Sequence, residues 1–578
     1  MNSAILAAIG LAAFYAGFRY YSNWLHRGLY KTDPELQTPS HEFQDNIDFV
    51  PTKRHILFGH HFTSIAGAAP IIGPCVAAYW GWFPACLWII LGSIFVGAAH
   101  DFGALIVSLR EKGRSIADIS SKIMGDKARI MFLLFVLMFI WLVLAVFAMA
   151  IADLFVTVPS TVIPINVQIV LAISIGWLIY KKGTNTFLPS IIALILLYLF
   201  IWVGSKAPIS FEVMGGLSRS EASNIWIIVL FIYSGIASLL PVWFLLQPRD
   251  YINSHQLLVG LGLLYIGIFY VRPIIEAPAI RLTVDQGAPP MIPLLFVTIA
   301  CGAISGFHGL VASGTTSKQV CRIKDSRLIG YGSMLGEGTL ALASTIAAVA
   351  GISLVAACNL PTQGNVQDLS WAVYYDTWAN ASGNKAAAFV LGGGALIQEL
   401  GIPSDLAKTL MAVLVISFAA TTLDTATRIQ RFVLSELGTA SKVKILENRY
   451  FATVIAILPA FILTMWNVDD PVTGSSTQAG WILWPIFGAS NQMLAAFTFM
   501  VLTLYFWQLK RPVLPIFIPM ILVMLTTLIT IILKTINFAG SNPFLFLLCL
   551  ILILLIGWMI MEGLKTIKKS RFNTIDMK

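Results

Sequence analysis

Residues 58–74 read FGHHFTSIAGAAPIIGP. They open an apolar segment, 56–80, long enough to cross a bilayer, yet they hold two adjacent histidines, two prolines and three glycines. Proline removes a backbone donor and clashes with the preceding turn. A carbonyl freed in hydrocarbon costs several kcal/mol unless protein or water satisfies it. Gly67, Pro70, Gly73 and Pro74 are therefore expected to break the span at mid-depth, where irregular backbone is tolerated if it lines a cavity. The exposed ends of two half-helices can then hold a cation or a carboxylate. The plainer alternative is a proline kink that only shapes packing.

The surrounding chain makes this a membrane problem. Of 578 residues, 57% are hydrophobic and only 11% charged, against about 25% charged in soluble domains. Apolar runs of roughly 20 residues recur along the chain and predict helices, not a barrel. About fifteen spans are expected, near 3–24, 56–80, 84–109, 128–157, 165–180, 186–204, 222–247, 255–276, 291–316, 329–357, 407–435, 450–467, 481–507, 513–533 and 543–563. The first, SAILAAIGLAAFYAGF, lacks a basic leader and reads as a retained helix. Six scattered cysteines show no CxxC spacing, so neither a disulfide framework nor a zinc site is indicated.

The net charge of +9 is a matter of location, not of nucleic-acid binding. LREKGRSIADISSKIMGDKAR, YKKGTN, SKQVCRIKDSR, QLKRP and KTIKKSR are basic and alternate with loops that are not. If they face the cytoplasm, only Lys206, Arg219, Arg272, Arg281, Lys385, Lys408 and Lys534, seven of 37 Lys and Arg, lie near the other side. The positive-inside rule then puts the N-terminus outside and the C-terminus in the cytoplasm. One outer loop, 358–406, is long, aromatic and glycine-rich. It reads either as a lid or as a packed connector.

A second interruption is expected five spans on, in FIYSGIASLLPVWFLLQPRD (231–250), at Gly235, Ser238 and Pro241. Five intervening helices reverse its direction, which is the trace of an inverted-topology repeat. The expected organisation is an all-α polytopic membrane protein. A 5+5 repeat core (56–204 and 222–435) is joined by about five extra helices, from 1–55 with a cytoplasmic linker and from 449–578 with a cytoplasmic tail.

Ionisable residues inside spans are functional candidates. His60, His61, His100, Asp101, His308 and Glu337 qualify, either as proton carriers or as partners that steady kinked helices. A metal held by the histidines and Asp101, as in a membrane-embedded metalloenzyme, is the alternative chemistry, although the spacing matches no compact metal motif. Ser313, Thr315 and Thr316 in SGFHGLVASGTTSKQV offer oxygens to Na⁺ or pack helices. Asp424 and Arg428, four apart, are expected to form an intrahelical salt bridge or gate. Asn491 and Gln492 read as helix glue. No GxxxxGK[ST] stretch supports an ATP-driven pump, and no cofactor motif is evident.

DFVPTKRHILFGHHFTSIAGAAPIIGP, GAAHDFGALIVSLREKGRSIADI, GFHGLVASGTTSKQ, QPRDYINS, TTLDTATRIQRF and LWPIFGASNQMLAAF, spread over about 48–500, resemble the carbon starvation protein A family of bacterial inner-membrane transporters. The resemblance implies uptake of peptides or pyruvate under nutrient limitation, proton symport in pyruvate members, and a leucine-transporter-like core. With it, the expectation is a secondary transporter for a small carboxylate-bearing nutrient. Gly67, Ala68, Ala69, Pro70 and Ile71, with Tyr233, Ser234 and Gly235, would hold the substrate, and H⁺ or Na⁺ would drive it. A nutrient sensor with a transporter fold is the further alternative. Pyruvate and peptide both carry a carboxylate, so the residues do not choose between them, nor do they set the number of subunits.

Overall fold

The computed structural model describes residues 1–33, 35–45, 47–182, 187–285, 288–360, 362–469 and 476–570. Part of the basic loop 180–185 and the tail beyond 570 lie outside these. Because a lipid-facing backbone must satisfy its own hydrogen bonds, the apolar runs are helices. Among the described residues, twelve are long and apolar enough to cross a membrane. A thirteenth is the bent pair Arg54–Ile65 and Ala69–Trp80. The remaining two expected spans fall on the 17-residue helix Arg449–Met465 and on a broken segment at 291–314, neither of which is a continuous helix long enough to count as a span, so about fifteen is corrected to twelve or thirteen. Among the described residues, two short antiparallel strand pairs lie outside the spans.

The bent pair breaks where the sequence predicts. Ala66 leaves the helical region (φ −75°, ψ 76°) and the halves meet at 48°. Pro70 sits in the first turn of the second half, where its missing N–H costs nothing.

The second interruption is not where the sequence places it. The helix Arg219–Leu239 runs unbroken through Tyr233, Ser234, Gly235 and Ser238, and Leu240 before Pro241 is extended (φ −73°, ψ 151°). A residue preceding proline is pushed out of the helical region, so Pro241 ends this helix rather than breaking it. The next helix, Leu246–Val271, begins nine residues earlier than its expected span at 255. The true second break is in 291–314, where Met291–Thr298, Ala300–Ala303 and Gly306–Gly314 are separated at Ile304 and Ser305, both extended (φ −161° and −142°).

The two interrupted segments touch main chain to main chain. A Cβ on Gly73 would fall 2.2 Å from the Thr298 carbonyl oxygen, and one on Gly306 would fall 2.4 Å from the Asn491 carbonyl oxygen. The second half of the bent pair packs on Ile323–Leu354, and Gly306–Gly314 packs on the later part of Trp82–Arg110. Each interrupted segment is followed by one of these long helices, then a short helix (Ile116–Met124 or Ala387–Gln398), then a longer one (Asp126–Thr157 or Ser404–Ser441). The last two pack along one another as the central wall.

The loop 358–406 is ordered where described. It holds the hairpin Ala357–Leu360/Gly364–Gln367 and helices Trp371–Tyr374 and Trp378–Gly383. It closes over the end of the bent pair. Tyr375 Oη donates to Cys75 O at 2.6 Å, and Trp371 Nε1 donates to Ala78 O at 3.2 Å. Arg281 Nη2 donates to Asp376 O at 2.8 Å while its guanidinium lies 4.3 Å over the Tyr79 ring.

Candidate functional site

The two breaks face one small cavity of about 10 Å³, lined by Gly67 and Ala69 from the first and Cys301, Ser305 and Phe307 from the second. Ile65, Val143, Phe147, Thr422, Phe487 and Asn491 complete it. That volume is about one water, so the chamber is closed down in this conformation. Asn491 repairs the second break: its Oδ1 accepts from Phe307 N at 3.0 Å, and its Nδ2 donates to Ser305 Oγ at 3.0 Å. Gln492 Nε2 donates to Phe296 O at 2.5 Å. Both amides are the helix glue expected, applied to the broken segment itself.

Of the expected substrate residues, Gly67 and Ala69 line this cavity. Ala68, Pro70 and Ile71 are buried beside it. Tyr233, Ser234 and Gly235 do not reach it. Ser234 Oγ donates to Phe231 O within its own helix, and Gly235 faces Ile457.

The ionisable residues form two buried clusters. In the first, Asp101 joins two imidazoles: His100 Nδ1 lies 2.7 Å from Oδ1, and His308 Nδ1 lies 2.8 Å from Oδ2. His308 Nε2 is 3.1 Å from Glu337 Oε2, but neither Glu337 oxygen accepts an aligned hydrogen bond among the described residues. The chain crosses three helices, and every member is fully buried. Nearby, His61 Nδ1 is 2.8 Å from Thr316 Oγ1.

In the second cluster, His60 Nδ1 lies 2.5 Å from Asp250 Oδ2, and Tyr233 Oη donates to Asp424 Oδ2 at 2.8 Å. Asp424 pairs with Arg249. The expected Asp424–Arg428 bridge does not form. Fully buried Arg249 needs a compensating charge, and Arg428 instead donates from Nη2 to the Leu240 carbonyl left free at a helix end. Sequence reasoning missed Arg249 because it placed QPRD in a loop.

The hydroxyls expected at a Na⁺ site do not converge. Ser313 Oγ donates back to Gly309 O at 2.7 Å, Thr315 Oγ1 to Val311 O at 2.9 Å, and Thr316 faces His61. Among the described residues, no three His, Cys, Asp or Glu side chains converge as a metal-ligating group. On the face of the basic loops, a vestibule of about 410 Å³ is bordered by Lys112, Arg114, Asp118, Arg129, Lys318 and Glu436. Between it and the second cluster lies a cavity of about 30 Å³ beside His60, Gln247, Thr425 and Arg428.

Long apolar helices around a small closed cavity define an all-helical, multi-pass membrane protein. Residues 2–530 match the model of the carbon starvation protein CstA family, and the chain belongs to that family. It is 30% identical to the peptide transporter CstA of Helicobacter pylori (strain ATCC 700392 / 26695) over 546 residues, covering 88% of this chain and 78% of the relative. It is also 30% identical to the pyruvate/proton symporter BtsT of Escherichia coli K12 over 566 residues, with the same coverage. These relatives are transporters, not enzymes, and this chain is a membrane transporter. A manganese transporter of Eremococcus coleocola superposes over 91% of this chain and 98% of its own at 14% identity, with a TM-score of 0.43.

Proposed function

We propose that the chain is a secondary active transporter in the bacterial inner membrane. It imports a small carboxylate-bearing nutrient, pyruvate or a short peptide, together with protons, by alternating access. The observation that carries this reading is the pair of interrupted helices meeting at one closed cavity, with the fully buried His100–Asp101–His308–Glu337 cluster nearby. Protons suit the site better than Na⁺, because imidazoles and carboxylates converge there and the hydroxyls do not. Relatives named as a peptide transporter and a pyruvate/proton symporter support both solutes and the coupling ion.

The matching order of elements after residues 54 and 291 supports a leucine-transporter-like inverted repeat whose halves begin there, the second later than the 222 expected from sequence. One bundle rocks against the other around the cavity. In this conformation the 358–406 lid seals the outer side and the vestibule faces the basic, cytoplasmic side.

The test is uptake of labelled pyruvate and of labelled Ala-Ala by the purified chain in proteoliposomes under separate H⁺ and Na⁺ gradients. Accumulation driven by an inward H⁺ gradient is expected. Transport of neither solute, or accumulation driven by Na⁺ alone, would overturn the reading.

A further inference from the structure

QPRDYINS (247–254) opens the helix Leu246–Val271, and its arginine is fully buried. Arg249 Nη1 donates to Tyr233 Oη at 2.7 Å and to Asp424 Oδ2. Its Nε and Nη2 have no hydrogen-bond partner among the described residues, and neither does Asp424 Oδ1. A guanidinium is shaped to grip a carboxylate with two parallel N–H groups. Here it holds its carboxylate by one nitrogen and one oxygen and leaves a second edge bare. Buried polar atoms are nearly always satisfied, so an orphaned guanidinium edge calls for a partner that comes and goes. The pair is also well placed. Arg428, one turn on along the same helix face as Asp424, borders the 30 Å³ cavity on the vestibule side together with Thr425.

We infer that Arg249 is a carboxylate-binding residue. The Nε and Nη2 edge takes the carboxylate of the transported solute, and Asp424 lets go of the guanidinium as it takes up a proton. This rests on reading the chain as a carboxylate importer. Charge balance fixes the stoichiometry at this site. Arg249 and Asp424 cancel, so a second carboxylate brought into a space closed to water leaves one negative charge uncompensated, which is strongly unfavourable. A proton from solution on Asp424 Oδ1 restores neutrality, with no other bond made or broken. The charged and titratable groups around Asp424 are Arg249 and Asp250 from Leu246–Val271, Tyr233 from Arg219–Leu239, and Arg428 on its own helix. Asp250 is held through Oδ2 by His60 and Arg428 by the Leu240 carbonyl, whereas Asp424 is the carboxylate in direct contact with Arg249, so it is the one whose protonation frees the guanidinium.

The test compares acids with uncharged analogues. In proteoliposomes, wild-type uptake of labelled pyruvate or Ala-Ala should be inhibited by the unlabelled acids and not by methyl pyruvate or Ala-Ala amide. Arg249→Gln should raise KM by roughly tenfold or more and abolish that discrimination, with Arg249→Lys intermediate because it keeps the charge and loses the fork. Asp424→Asn should still exchange solute for solute but no longer accumulate it in response to ΔpH. Retained discrimination in both Arg249 variants, or ΔpH-driven accumulation by Asp424→Asn, would overturn the inference. If the single Arg249 variants do not fold, Arg249→Gln/Asp424→Asn removes both charges together and carries the discrimination test. Thermal stabilisation of the purified chain by pyruvate or Ala-Ala, read against the ester and the amide, tests the site independently of transport. Wild-type chain that transports neither solute counts against the proposed function; wild-type transport with discrimination intact in the variants counts against this site alone.

Discussion

Gly67 stands where a single methyl group is felt. An added Cβ would lie 2.7 Å from the Phe147 ring and 2.8 Å from Thr422 Oγ1. Overpacking of this kind costs about 1–3 kcal/mol, and a larger side chain would also fill the 10 Å³ cavity. Gly67→Leu should abolish uptake while the chain still reaches the membrane with a lowered melting temperature; ordinary uptake would remove the cavity from the pathway. Asp101 is the hinge of the first buried cluster, accepting from two imidazoles at 2.7 and 2.8 Å. Breaking a buried charge pair costs about 3–5 kcal/mol. Asp101→Asn should therefore melt early and take up solute at a rate that no longer rises when the outside is acidified. An unchanged ΔpH response would discard its coupling role. These residues were legible because a charge inside an apolar run is conspicuous. Arg249 was not, because the span read through Pro241 was ended at 247 and the next begun at 255, which left it in the gap between them.

At the scale of elements, the first break was visible and the second was not. Pro70, Pro74 and Gly67 announce a break chemically, whereas Ile304 and Ser305 lie between glycines with no proline, and their extended backbone is held by Asn491, almost two hundred residues away. The 358–406 segment, which the sequence left as a lid or a packed connector, packs over the end of the bent pair, where the proposed function makes it a lid. Its latch is Asp285, whose carboxylate accepts from Trp378 N at 3.1 Å and from the Tyr79 hydroxyl. Partial burial would raise this carboxyl, but Tyr79, the Trp378 amide and Arg281 hold it below the usual carboxylate range. A carboxyl depressed in the folded state stabilises above its unfolded pKa of about 3.9 and loses that contribution as pH falls through the folded value. The latch should therefore hold at neutral pH and loosen only below about pH 4. Hydrogen exchange at 371–383 reads this directly. Protection should be lost at neutral pH in Asp285→Asn, and equal protection in wild type and variant would show that the lid is held elsewhere.

For the whole molecule, composition carried the all-helical membrane class, because the bilayer admits few solutions, while the expected count of about fifteen spans exceeds the twelve or thirteen candidate spans among the described residues. The pairing of halves was beyond composition, since it depends on which helices are broken. The proposed orientation has a simple check. Cysteines placed at Val213, 85% exposed, and at Lys112, its side chain 64% exposed, lie on opposite faces. Impermeant maleimide added to intact cells should label the first and spare the second, and the reverse pattern would invert the topology. The main-chain repair by Asn491 also bears on how the protein is made. Residues 291–314 reach their final hydrogen bonding only when Trp484–Gln508 is in place, because the amide of Phe307 is accepted by a side chain some 180 residues later in the sequence. A chain truncated before Trp484 is therefore expected to lack this acceptor and to hold 291–314 less firmly in the membrane than the full chain does.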